Sequence, residues 1–145
     1  MNGAEIEKYM LTDPFIRQIY GGVIAKDQLP FVVKRPSIYI VNTDPMALPG
    51  EHWVALYFDE RNEHFDSAGF QPRPYFETYL NSKGSKYMYN DKRVQNFSTN
   101  SCGKFALMYC YFRARNYSFS DIISMFSDNL ILNEIIVHTF YELSK

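Results

Sequence analysis

Cysteine is scarce in this 145-residue chain, which has only Cys102 and Cys110. Two cysteines are too few for a disulfide framework. They also fall on one expected helix, eight residues apart, and so are separated by roughly 12 Å of rise. A disulfide needs Cα atoms within about 7 Å, so both are expected as free thiols in a reducing compartment. No run approaches the roughly 18 consecutive apolar residues of a membrane span, which predicts a soluble protein without membrane contact. The amino-terminal MNGAEIEKYM has neither the basic start nor the apolar stretch of a secretory signal. Internal repeats, low-complexity tracts and linkers are missing as well. One domain over residues 1–145 is the simplest organisation.

What is present is an aromatic, well-mixed composition. Hydrophobic residues make up 46%, with 12 Tyr and 12 Phe, enough for a packed core and incompatible with a disordered chain. The net charge is −1 but unevenly spread: residues 81–115 carry +6 and the rest −7. Lys83, Lys86, Lys92 and Arg93, interleaved with Tyr87, Tyr89 and Phe97, would suit an anionic partner such as DNA; the alternative is a solvated basic face.

Along the chain, Glu5–Leu11 reads as a short helix stopped at Asp13-Pro14, and Ile16–Tyr20 as a second, ended by Gly21-Gly22. Phe31–Lys34 suggests a short extended piece. Ser37–Asn42 (SIYIVN) reads as a strand. In HWVALYFDERNEHFD, Trp53–Phe58 is a strand apolar enough to be covered on both faces, Asp59–Glu63 is a turn, and His64–Asp66 returns. Tyr75–Asn81 predicts a helix and Lys92–Phe97 a further strand. From Cys102, Phe105, Met108, Tyr109 and Phe112 recur at helical spacing on one face. Ser120 and Asn133 are expected to cap two last helices, running to Phe126 and Leu143. The sum is a sheet flanked by helices, class α+β.

A free cysteine is most often a small buried hydrophobe, and Cys110 fits that description. Cys102 differs, because it follows the polar run Ser98–Ser101 and opens a helix, where the dipole and free N–H groups stabilise a thiolate. Gly103 beside it would let backbone approach a substrate carbonyl. A cysteine nucleophile needs a base, and there are three histidines. His138 sits in an apolar helical stretch and His64 near a turn where it is expected to be solvated. His52 stands at the mouth of a strand, after Pro49-Gly50. Asp66 could orient its imidazole. A five-residue hairpin loop pairs Phe58 with His64, so His52 and Asp66 share a face but stand four residues out of register. Gln95, seven residues before Cys102, could join the Cys102 N–H in binding an oxyanion.

In order, the stretches IVNT (Ile40–Thr43), GEHWVALYF (Gly50–Phe58), FDSAGF (Phe65–Phe70) and QNFSTNSCGKFAL (Gln95–Leu107) resemble the adenovirus maturation protease (adenain) family. That family has relatives in virophages and Maverick/Polinton elements. More distantly, the stretches resemble the clan of ubiquitin-like-protein (SUMO) proteases. The resemblance spans about Ile38 to Phe112. The family order of His, acidic residue, Gln and Cys is matched by His52 (with Trp53), Asp66 (with Gly69 and Phe70), Gln95 and Cys102 (with Gly103).

The resemblance implies a cysteine protease with a central mixed β-sheet flanked by helices. His52, Asp66 and Cys102 would form its triad and Gln95 its oxyanion donor. Gly50, Trp53 and Gly103 would lie against substrate, with Trp53 shielding the His–Asp pair. It further implies cleavage of viral capsid or core precursors at Gly-X-Gly or Gly-Gly sites during virion maturation, by a monomer in the virion and the infected cell. No cysteine precedes Cys102, which argues against disulfide tethering of an activating peptide by the adenovirus route; a non-covalent viral peptide or DNA stays open, and no metal is implied. The alternatives are a deubiquitinating or deSUMOylating isopeptidase and a non-catalytic interaction domain on the same fold.

Overall fold

β-Branched and aromatic residues build the centre of a five-stranded sheet. The computed structural model describes residues 1–44, 46–47, 52–84, 86–96 and 98–145. Strands β1 (Tyr20–Ala25), β2 (Ser37–Asn42), β3 (Trp53–Phe58), β4 (Asn62–Phe65) and β5 (Tyr87–Tyr89) lie in that order across the sheet. The outer pairs β1–β2 and β4–β5 are parallel and the inner pairs antiparallel, so the sheet is mixed. Helices α1 (Gly3–Thr12), α2 (Pro14–Ile19), α4 (Cys102–Ala114), α5 (Phe119–Ile123) and α6 (Leu130–Ser144) gather on one face, and α3 (Pro74–Ser82) covers the other. This is an α+β fold, as expected. Among the described residues no helix is long and apolar enough to cross a membrane.

The two-residue period of the strands sorts their side chains. Ile38, Ile40, Ala55, Tyr57 and Phe65 meet α4, while Tyr39, Val41, Val54, Leu56 and Phe58 meet Phe76 and Leu80 of α3. Cover on both faces explains why SIYIVN and WVALYF are continuous apolar runs. Helix α4 is clasped by β2 and β3 and by α1, α2, α5 and α6. Its burial is accordingly broader than the one-face pattern suggested: Ala106, Leu107 and Cys110 are buried beside Phe105, Met108 and Tyr109, while Phe112 is only partly so. Tyr109 stacks on Phe65 with ring centroids 5.0 Å apart. Each such fully buried large side chain contributes about 1.5–3 kcal/mol, so the helix that begins at Cys102 has little freedom to move.

Several expected boundaries are corrected. Gly21-Gly22 does not end a helix but lies inside β1; a Cβ at Gly21 would come within 2.3 Å of the Tyr39 ring, so the glycine makes room for that ring. Phe31–Lys34 is an irregular loop, and Phe31 is 88% exposed. The expected strand at Lys92–Phe97 is not formed over 92–96, and Phe97 lies outside the described residues; β5 is earlier, at Tyr87–Tyr89. Ser118, not Ser120, caps α5, in a capping box with Asp121. Asn129, not Asn133, caps α6, and Asn133 is fully buried within it.

Candidate active site

His52 and Asp66 sit at the same end of the sheet, one residue before β3 and one after β4. Their approach depends on the hairpin between them. The turn is tighter than the five-residue loop expected: Phe58 pairs with Asn62 and Leu56 with His64. Extending that register sets Asp66 across from Val54, diagonal to His52, which is ordinary contact range on a twisted sheet. His52 Nε2 and Asp66 Oδ1 are 2.6 Å apart. The His52 backbone is pinned in turn, its carbonyl accepting from the Thr43 N–H at 2.9 Å.

Asp66 is held from several directions. Asn90, 2% exposed, accepts from the Asp66 N–H at 2.9 Å and donates to its carbonyl at 2.6 Å. The Ala68 N–H donates to Oδ1 at 2.9 Å. Gly69, at φ +78°, closes this turn against Lys92 and Arg93, and a Cβ there would lie 2.5 Å from the Arg93 nitrogen. The turn also steers Gln95: the Ser67 hydroxyl donates to Gln95 Oε1 at 2.5 Å, and the Ser67 carbonyl accepts from the Val94 and Gln95 N–H groups at 3.0 Å. Gln95 Nε2 donates to the Thr99 carbonyl at 3.1 Å and faces the Thr99 hydroxyl at 3.3 Å.

Cys102 is the first residue of α4, and Lys104 and Phe105 N–H groups are taken by the Ser101 carbonyl. With Nε2 engaged by Asp66, Nδ1 is the imidazole nitrogen left for the Cys102 thiol, with which His52 shares a hydrogen bond. Electrostatics follow. Burial would push the imidazole down, but hydrogen bonds to Asp66 and Cys102 outweigh it and raise His52 from 6.5 to about 9. Burial pushes the Cys102 thiol up, yet the His52 hydrogen bond, helped by backbone groups of Trp53 and Gly103, brings it below its ordinary range. Asp66 is likewise lowered despite burial, through His52 and the Ala68 N–H. A thiol poised toward thiolate beside a proton-holding imidazole is suited to nucleophilic attack on a carbonyl. Cys110, two turns along, is wholly buried and its thiol is pushed well up by burial.

His52, Gln95, Ala68, Arg93, Asn96 and Thr99 line a cleft of about 170 Å³. A hollow of about 460 Å³ between α1 and the end of α6 shares none of these residues. Trp53 is half-buried, and its Nε1 donates to the Met1 carbonyl at 3.3 Å. Gly103 is buried; a Cβ there would meet Met1 Sδ at 3.2 Å and Ile6 Cδ1 at 3.3 Å, so its small size serves packing of the N-terminal residues. Gly50 lies outside the described residues. The other histidines are the reverse of expectation. His64 is 2% exposed, and burial holds it down at about 4, whereas His138 is about half exposed and contacts Lys104 at 3.0 Å.

Three of the seven basic residues of the stretch 81–115 pair with acids elsewhere in the chain. Lys92 pairs with Asp128, Arg113 with Glu63 and Arg115 with Asp13. Lys83 caps the Phe31 carbonyl and lies 4.7 Å above that ring. Lys86 is exposed and Arg93 lines the cleft. Among the described residues no three His, Cys, Asp or Glu side chains converge as a metal site requires. Ser67, Asn90 and Glu134 (described below) were not legible beforehand; Ser67 alone had a sequence signal, as the neighbour of Asp66 in FDSAGF.

No family model matches the chain, and no curated protein matches it. Among solved structures it is similar to the ASFV pS273R protease. In one crystal structure the likeness covers 94% of this chain and 66% of that one, with a TM-score of 0.64 and 20% identity. In a selenomethionine form the figures are 73%, 45%, 0.52 and 27%. It is also similar to the SUMO protease Ulp1 with its catalytic cysteine oxidised to a sulfinic acid, over 95% of this chain and 75% of that one (TM-score 0.51, 13% identity). The central domain of Lpg1148 from Legionella pneumophila matches over 100% of this chain and 98% of that one, with a TM-score of 0.53 and 15% identity. The chain thus spans about half to two thirds of the ASFV protease. These neighbours establish the ubiquitin-like-protease fold, and the viral and SUMO enzymes among them belong to the SUMO-protease-like cysteine protease clan. The likeness is one of fold. It stops short of the narrower adenain and virophage grouping.

Proposed function

We propose that this chain is a cysteine endopeptidase of the adenain-like type, cutting viral capsid or core precursor proteins at small-residue sites such as Gly-X-Gly or Gly-Gly. The observation that carries the proposal is the single imidazole shared between Asp66, at 2.6 Å, and the Cys102 thiol at the N-terminus of α4. In the proposed reaction Cys102 Sγ bonds to the scissile carbonyl carbon. The carbonyl oxygen, now anionic, is met by the Cys102 N–H and by Gln95, whose two Thr99 acceptors can share one N–H and leave the other for the cleft. Collapse breaks the C–N bond as His52 gives its proton to the leaving amine. Water then gives a proton to His52, attacks the thioester carbon and frees Cys102 as the new C-terminus departs.

The second reading is an isopeptidase acting on a ubiquitin-like tail, and the likeness to a SUMO protease over 95% of the chain favours it. Both readings place a glycine carbonyl at Cys102. Incubation with capsid precursors, followed by sequencing of the new N-termini, tests the first: cleavage after glycine, abolished in Cys102→Ala, is expected. Efficient labelling of Cys102 by a SUMO or ubiquitin vinyl sulfone, without precursor cleavage, would transfer the assignment to the second. Neither outcome in the presence of folded protein would sink both. We place the enzyme in the virion and infected cell, acting as a monomer. With Lys92, Arg113 and Arg115 engaged internally, DNA is expected to leave the cleavage rate unchanged at low salt.

A further inference from the structure

Helix α6 contributes no residue to the attack on substrate, yet two of its consecutive side chains grip the segment that carries Gln95 and leads to Cys102. Asn133, fully buried, donates from Nδ2 to the Val94 carbonyl at 3.1 Å. Glu134 Oε2 accepts from the Asn96 N–H at 3.1 Å. Val94 and Asn96 flank Gln95, so α6 fixes the chain on both sides of it. The other Glu134 oxygen, Oε1, accepts from the Ser101 hydroxyl at 2.7 Å, and Ser101 precedes Cys102. One carboxylate therefore ties together the two ends of the 96–101 loop.

Two details make this more than a surface contact. Ser101 is the N-cap of α4 but its side chain does not cap the helix; it is turned to Glu134 instead, although serine at that position ordinarily bonds the first-turn N–H groups. The side chain of Glu134 is only 12% exposed. The Ser101 hydroxyl donates to Glu134 and lies 3.0 Å from the Thr99 hydroxyl, which in turn accepts from Gln95 Nε2 at 3.3 Å. The Thr99 hydroxyl has one proton for two neighbours, the Asn96 carbonyl and Ser101 Oγ, each at 3.0 Å, so Glu134, Ser101, Thr99 and Gln95 form one contiguous polar cluster.

We propose that Glu134 is a positioning residue for the oxyanion site, holding Gln95 and the Cys102 N–H in mutual register through Asn96 and Ser101. The proposal rests on the protease reading above. Small displacements of such donors are costly: deletion of one oxyanion donor lowers kcat by about 10²–10³, and a misplacement near 1 Å can cost about 10²-fold. Glu134→Ala, which removes both acceptors, should lower kcat by about tenfold or more with KM within about twofold. Glu134→Gln keeps one acceptor and should fall between. In a Ser101→Ala background Glu134→Gln should add nothing, because its remaining oxygen can still serve the Asn96 N–H.

Alkylation of Cys102 by iodoacetamide needs the thiolate but no oxyanion site, so its rate should hold in all three variants. Wild-type hydrolysis undiminished in Glu134→Ala overturns the proposal. So does a parallel fall of hydrolysis and alkylation, which would make Glu134 merely structural. Should the wild type cleave no substrate, the protease reading fails separately. Hydrogen exchange then decides this one: the Asn96 and Cys102 amides must exchange faster in Glu134→Ala than in wild type, with the β2–β3 amides unchanged.

Discussion

Asp66 Oδ1 serves two donors, the His52 imidazole and the Ala68 N–H, and what it does to His52 can be read from pH. His52 is raised from 6.5 to about 9. In the proposed mechanism kcat/KM therefore falls as pH rises through about 9, where the imidazolium that protonates the leaving amine is lost. Asp66→Asn removes the negative charge that raises the imidazole, and weakens the hydrogen bond that assists it, while leaving the burial that lowers it. The alkaline limb is expected to move toward neutral pH, and a pH–rate profile with an unmoved limb would detach Asp66 from His52. His64 works in the opposite sense. Its folded value of about 4 lies below its ordinary 6.5, so below pH 6.5 the unfolded chain takes up the proton first. Stability should drop between pH 6.5 and 4 by on the order of 3 kcal/mol. His64→Leu should flatten that slope in urea denaturation, and a slope equal to wild type would show that another group sets it.

At the scale of elements, α4 is fixed to the sheet by one buried ionic contact as well as by packing. Glu63, on β4 and 3% exposed, receives Arg113 Nε at 3.0 Å and Nη2 at 3.1 Å, together with the Tyr109 hydroxyl. Arg113→Met leaves the carboxylate buried without its cation and is expected to cost about 3–5 kcal/mol. Adding Glu63→Gln should return part of that loss in thermal or chemical denaturation. A single variant as stable as wild type would mean the pair holds nothing. The same elements show what was legible beforehand. Strands β2 and β3 were readable because cover on two faces leaves an unmistakable apolar run, and α3 and α4 because their periodicity is helical. β1 was not, since Gly21-Gly22 reads as a breaker until the Tyr39 ring is seen above it. β5 is three residues long and owes its pairing to β4, not to its own composition.

Over the whole molecule, the candidate site gathers residues from positions 52, 66, 90, 95, 102 and 134 at one end of the sheet. The order of His52, Asp66, Gln95 and Cys102 was visible in the chain; their contact was not, because it turns on a hairpin loop shorter than parity alone could fix. Asn90 and Glu134 were invisible because what they hold lies 24 and 38 residues away in sequence. The broad burial of α4 has one practical consequence. Of the two thiols on that helix, Cys102 is brought toward thiolate, whereas Cys110 is wholly enclosed and driven toward the protonated form. Toward an alkylating reagent the folded chain should count as a one-thiol protein, and toward the same reagent in denaturant as a two-thiol protein. Mass spectrometry of the first label thus counts competent sites, and the arrival of the second clocks the opening of the core, without any engineered probe.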